Sequence, residues 1–264
     1  MQTFTQALSS LHAEGDHWCA EAPADWAQGR TIFGGLQAAF LVAAMRQKIG
    51  SDIALRSLQT VFVGPVPAGP IKIRADILRT GKSTIHARAE TFSDAGIGCT
   101  AIAVFGTSRS SSVRLDPPKP VFDRRPEDSA LQPYVEGLSP PFLQHVEQRW
   151  SRGAMPYCGG SEADTQIYVR YFEEPAVTEG LIIAFADTIP SPAVSLLKSF
   201  APASSMCWTL ELLQDELDGL PTGDWLMDAR ATSAAGGYVY QTASLWSPDL
   251  KPVALSRQSA VIFG

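Results

Sequence analysis

The stretch Gly35-Leu-Gln-Ala-Ala-Phe-Leu-Val-Ala-Ala44 returns as Gly180-Leu-Ile-Ile-Ala-Phe-Ala-Asp-Thr-Ile189, an offset of 180 − 35 = 145. Gly, Leu, Ala and Phe keep their places in the two copies. In the first copy Leu36, Ala39, Phe40, Ala43 and Ala44 recur at helical spacing, so residues 35–48 read as a helix with an apolar face. Strand-like runs follow at residues 55–63, 70–79, 84–93 and 99–107. Turn residues separate them at Gly64-Pro65, Thr80-Gly81-Lys82 and Asp94-Ala95-Gly96, and such short connections imply an antiparallel meander. Residues 177–189 read as the second helix, ended by Pro190 and Pro192, which cannot continue the hydrogen bonding. A strand at 165–172 precedes it, and runs at 205–213, 224–232, 238–246 and 253–263 follow.

A helix and four strands therefore occur twice. SLQ at Ser57 lies over TLE at Thr209, an offset of 209 − 57 = 152. AIAVFG ending at Gly106 lies over SAVIFG ending at Gly264, an offset of 264 − 106 = 158. The drift fits insertions in loops. Residues 108–141 break the pattern with Ser, Pro and charge, and read as a surface linker. The expected organisation is a first repeat at 1–110, a linker at 111–140, and a second repeat at 141–264.

A long helix on an antiparallel sheet is an α+β unit. Each copy leaves a sheet edge that must be paired or covered. Joining two copies edge to edge gives one continuous sheet with two helices, the double hotdog architecture.

Composition narrows the function. The 264 residues carry a net charge of −6, which disfavours a nucleic-acid surface. No run of about 18 apolar residues suggests a membrane span. The first residues lack the basic start and apolar block of a secretory signal. Four scattered cysteines and four scattered histidines suggest neither a disulfide framework nor a metal site, so a reducing cytoplasm is expected. Gly81-Lys82-Ser83-Thr84 ends like a phosphate loop, but Asp76 stands where that motif needs glycine and no helix follows. Gly96-Ile-Gly98 precedes a strand rather than a helix, so it fails as a dinucleotide motif. No G-x-S-x-G nucleophile elbow is present.

The two copies differ where chemistry could reside. Val42 corresponds to Asp187, Ser57 to Thr209 and Thr100 to Gln258. An acid on an apolar helix face is costly unless paired or working. Each residue also has an ordinary reading: Asp187 as a solvent-facing helix end, Thr209 as a common strand residue, Gln258 on an exposed strand face.

The chain resembles the acyl-CoA thioesterase II family, a double hotdog family. The resemblance runs through seven blocks over residues 15–264, with the linker unmatched. Arg30-Thr-Ile-Phe33-Gly34-Gly35-Leu-Gln resembles the family's R-x-V-F-G-G-Q. Residues 55–65 resemble a strand ending in F-x-R-P-G, and Arg79-Thr-Gly81-Lys-Ser83 an R-D-G-x-S turn. Phe185-Ala-Asp187 resembles the Y-A-S-D helix, and Cys207-Trp-Thr209-Leu-Glu211 the A-T/S-I/L-D-H strand. Asp224-Trp225-Leu226 resembles E/D-W-L-L, and Val253-Ala-Leu-Ser-Arg-Gln258 resembles V-A-S-x-x-Q. The family's D-H is Glu211-Leu212 here, its W-F-H-R-P-F stretch is absent, and its Q-E-G is Gln258-Ser259-Ala260, which marks a divergent branch.

The resemblance implies an acyl-CoA thioester hydrolase in which Asp187, Thr209 and Gln258 orient and activate water, without metal or redox cofactor. An Asp base, a Thr hydroxyl and a Gln amide would act through proton affinity and orientation. Gly34-Gly35, with Phe33 beside them, are the candidate substrate-binding residues: a helix start offers free N–H groups to an oxyanion. The same glycines also suit tight packing, and Glu179-Gly180 is the alternative donor site. Other readings are an enoyl-thioester hydratase, which needs a histidine beside the acid, and a non-catalytic acyl-thioester binder. The fold implies a homo-oligomer. The expected partner is an acyl-CoA substrate, not nucleic acid or a membrane.

Overall fold

The computed structural model describes residues 1–172 and 176–264. Helix α1 (Phe4–Leu8) leads into strands β1 (His12–Glu14) and β2 (His17–Ala22), the short pair β3 (Ala27–Gln28) and β4 (Thr31–Ile32), and helix α2 (Gly34–Ile49). Strands β5 (Ala54–Phe62), β6 (Gly69–Thr80), β7 (Thr84–Ser93) and β8 (Gly96–Gly106) follow. Beyond them come β9 (Ala130–Gln132), β10 (Val146–Arg152), β11 (Asp164–Tyr171) and helix α3 (Glu179–Asp187). Strands β12 (Ala203–Leu212), β13 (Trp225–Ala235), β14 (Tyr238–Trp246) and β15 (Pro252–Ile262) close the chain.

Thirteen strands form one sheet in the order β1-β2-β6-β7-β8-β5-β12-β15-β14-β13-β11-β10-β9. The same pattern occurs on both sides of the β5–β12 junction, and every pairing is antiparallel. The molecule is a double hotdog, as the repeat implies. The simple meander is corrected. The strand after each helix, β5 or β12, pairs with the last strand of its repeat and not with the next. That placement frees its other edge to join the opposite repeat. At the junction Leu58 stands across from Leu210, both fully buried.

Strand alternation puts Leu58, Ile73, Ala87, Ala103 and Leu210 on the face that carries the helices, in one core with Phe40, Leu41 and Phe185. Burying this face is the main source of stability. The helices pack on each other along small residues. A Cβ on Gly35 would stand 2.9 Å from Ala184 Cα. Arg46 of α2 donates to both carboxylate oxygens of Glu179 of α3, from Nε at 2.9 Å and Nη2 at 2.5 Å. Between β8 and β10 the chain includes a 3-10 turn at Pro126–Asp128, strand β9 and a second 3-10 turn at Pro141–His145. It is tied down by Gln166 Nε2 and Tyr168 Oη, which donate to the carbonyls of Val121 and Arg124. Among the described residues, no helix is long and apolar enough to cross a membrane.

Candidate active site

Helix α2 starts without a cap of its own. Phe33 is the N-cap residue, and its side chain can accept no hydrogen bond. The first-turn N–H groups of a helix have no partner within the helix, and they form its positive end. Asp187, the last residue of α3, brings its carboxyl to this point. It accepts a hydrogen bond from the Gly35 backbone and another from Gln258 Nε2, at 3.1 Å to Oδ1. A Cβ on Gly34 would stand 2.6 Å from Asp187 Oδ2 and 3.1 Å from the Phe62 ring. Glycine here is therefore what lets the acid of one repeat reach the helix of the other.

The sequence around Asp187 explains its position. Thr178 Oγ1 caps α3 by accepting from Leu181 N, and α3 ends after nine residues. Thr188 Oγ1 then donates to the Ala184 carbonyl and shares a hydrogen bond with Tyr171 Oη. Gln148 Nε2 holds the Thr188 carbonyl from β10. The helix expected at 177–189 is shorter because these side chains and Pro190 take over its last turn.

Burial pushes the Asp187 carboxyl up to about 7, against the opposing pull of the Gln258 amide and the Gly35 N–H. The residue as a whole keeps intermediate exposure, so the group is desolvated yet at the edge of the interior. Cys99 of β8 lies behind it. Burial, then the Asp187 charge, raises the Cys99 thiol, which disfavours the thiolate nucleophile.

Gln258 carries the rest of the cluster. Its Nε2 also donates to Ser205 Oγ at 2.9 Å, and its Oε1 accepts from Gln241 Nε2 at 2.8 Å. Thr209 is not brought into this cluster. It pairs with Arg257 and Gln59 in a row of exposed neighbours, whereas Gln258 pairs with the buried Trp208 on the helix side. The hydroxyl that meets Gln258 belongs to Ser205. A β-bulge between Ser205 and Cys207 turns Ser205 inward and reverses the alternation. Thr100, set over Gln258 by the offset of 158, pairs with exposed Val61 and faces away from the helices, so the two positions are not equivalent in the fold.

Phe33 lies fully in the core, stacked on Phe142 with centroids 4.2 Å apart. Gly34 and Gly35 lie at the carboxyl. The alternative donor site, Glu179-Gly180, is covered: a Cβ on Gly180 would stand 2.7 Å from Leu8 Cδ2, and Glu179 is engaged by Arg46. Sequence reading missed Ser205 and Gln241. Ser205 is four residues from Thr209, the same face in a regular strand, and only the bulge separates them. Gln241 leaves the apolar rhythm of its strand, which is a visible but weak signal.

The fold and this cluster define the class: two hotdog repeats, with a polar cluster where the start of α2 meets the second repeat. The chain belongs to the acyl-CoA thioesterase family. Residues 22–106 match the model of the acyl-CoA thioesterase N-terminal domain, and residues 126–262 match that of the C-terminal domain. No curated protein matches. Among solved structures, a conserved protein of unknown function with a hot dog fold from Alicyclobacillus acidocaldarius superposes with TM-score 0.89 at 25% identity, covering 99% of this chain and 98% of that one. A putative thioesterase II from Thermobifida fusca YX superposes at 0.80 and 18% identity, covering 100% and 98%. A putative thioesterase from Novosphingobium aromaticivorans superposes at 0.76 and 19%, covering 97% and 99%.

Proposed function

We propose that the protein hydrolyses acyl-CoA thioesters by direct attack of water, with Asp187 as general base and Gln258 and Ser205 as the groups that hold the water. The observation that carries this reading is a desolvated carboxyl, near 7, hydrogen-bonded at the otherwise uncapped first turn of α2. A base is most useful when its pKa lies near working pH, and such a group contributes roughly 10²–10⁴ in rate.

The chemistry balances with these groups alone. Ionised Asp187 takes a proton from water as the water oxygen bonds to the thioester carbonyl carbon. The negative charge on the carbonyl oxygen is met by first-turn N–H groups of α2, of which Gly34 and Leu36 have no intrahelical acceptor. The C–S bond then breaks, and the departing thiolate takes the proton from Asp187. The products are the free acid and coenzyme A. Ser205 can accept from Gln258 and still turn its own O–H toward the water.

The hydratase reading needs a histidine beside the acid. His145 is instead set against Asp25 at 3.3 Å and stacked on Trp26. A dehydratase domain from Pseudomonas fluorescens shares the fold at TM-score 0.56 and 9% identity, a likeness of fold alone. In solution we expect a homo-oligomer, with a light-scattering mass well above the 28.4 kDa of one chain.

The test is thiol release from a panel of acyl-CoA esters, short to long, branched and aromatic. Wild type should turn over at least one ester, and Asp187→Asn should lose at least about 10²-fold in kcat with its fold intact. Tight ester binding without turnover in wild type would identify a binder. Equal rates in the two proteins would remove Asp187 from the mechanism.

A further inference from the structure

We propose that Gln241 is a positioning residue of this site, which decides which end of the Gln258 amide faces Asp187. The inference rests on the reading of Asp187 as the base. A glutamine amide has an acceptor end and a donor end, and a half-turn about its last bond exchanges them. Gln241 Nε2 donates to Gln258 Oε1 at 2.8 Å. With the oxygen held there, both N–H groups of Gln258 point the other way, to Asp187 Oδ1 at 3.1 Å and Ser205 Oγ at 2.9 Å. The reversed amide would set its oxygen against the carboxylate, two acceptors face to face in a desolvated place.

The setting of Gln241 supports this role. It lies directly across from Gln258 in the β14–β15 register, on the helix-bearing face, and is 3% exposed. Its own Oε1 is buried with no hydrogen-bond partner. An unpartnered buried acceptor is unfavourable, and a leucine or methionine would fill the space without it. What the amide supplies that they cannot is the donor to Gln258. The titratable group facing Asp187 from the sheet is the Cys99 thiol of β8, and at the far end of α3 Glu179 is paired with Arg46. The hydrogen bonds of Gln241 and Gln258 go to each other, Asp187 and Ser205, so altering the amide pair breaks no hydrogen bond or ion pair of these two groups.

The experiment compares wild type with Gln241→Leu and Gln241→Glu, reading kcat, KM and the pH dependence of kcat. The Asp187 titration is followed in parallel by carbon NMR of labelled aspartate. Leucine removes the lock, and kcat should fall about tenfold with KM within about twofold, the mark of lost orientation. Glutamate cannot donate when ionised, and draws the Gln258 amide nitrogen to itself. Its loss should be larger, with the Asp187 titration and the kcat midpoint both displaced to higher pH by about one unit. Gln241→Met provides the same comparison should leucine fail to fold. Wild-type kcat and an unmoved titration in the variants would overturn the proposal, as would a loss of stability and rate with the titration unmoved. A wild type inactive on every ester would defeat the thioesterase reading, while the NMR titration would still decide the role of Gln241.

Discussion

Asp187 meets opposite demands in folding and in chemistry. A free aspartate titrates near 3.8, and burial moves this one to about 7. Between those values the unfolded chain has released its proton while the folded chain keeps it, so folding stability declines as pH rises through that window and levels off above it. Asp187→Asn removes the slope. Its melting temperature should gain on wild type from pH 4 to pH 8, and a difference independent of pH would show that the carboxyl is not desolvated. The hydroxyl assignment has its own comparison. Ser205→Ala should lower kcat about tenfold or more, and Thr209→Val should leave it within about twofold. The reverse result would restore Thr209. Asp187 was legible in the sequence because an acid replaced Val42 on an apolar helix face. Ser205 was not, because a single bulge residue inverts strand alternation and leaves no mark in composition.

At the scale of elements, the start of α2 and the end of α3 build the site together. Gly34→Ala would drive a methyl against Asp187 Oδ2 and the Phe62 ring, and should abolish most activity. Gly35→Ala would press on the Ala184 backbone and the Phe33 ring and should cost about 1–3 kcal/mol of stability, measured by denaturant unfolding. An unchanged protein in either case would mean the helices can separate. The repeat made α2, α3 and the long strands readable, with most ends within a residue or two of the observed ones. The pairing of β5 with β8, rather than with β6, was not readable, since turn length constrains neighbours in sequence and says nothing about which edge a strand leaves open. Strands β2 and β1 extend one end of the sheet as β11 and β10 extend the other, and β9 adds a further strand at the second end.

Across the whole molecule, duplication gave two helices and one acid. The first repeat contributes the uncapped start of α2, and the second contributes Asp187, Gln258, Ser205 and Gln241. The β5–β12 junction and the α2–α3 contact hold these halves in register. The edge argument made the continuous sheet foreseeable, because each repeat alone would expose an unpaired strand. That α2 would lend its N-terminus to the other repeat's acid depended on helix placement, which periodicity does not specify. The most direct test of the account is the pH dependence of kcat for acyl-CoA hydrolysis by wild type and Asp187→Asn. A rate rising with pH through a midpoint near 7 in wild type, and absent from the variant, is the predicted result. A flat wild-type profile, or the same rise in both proteins, would contradict it.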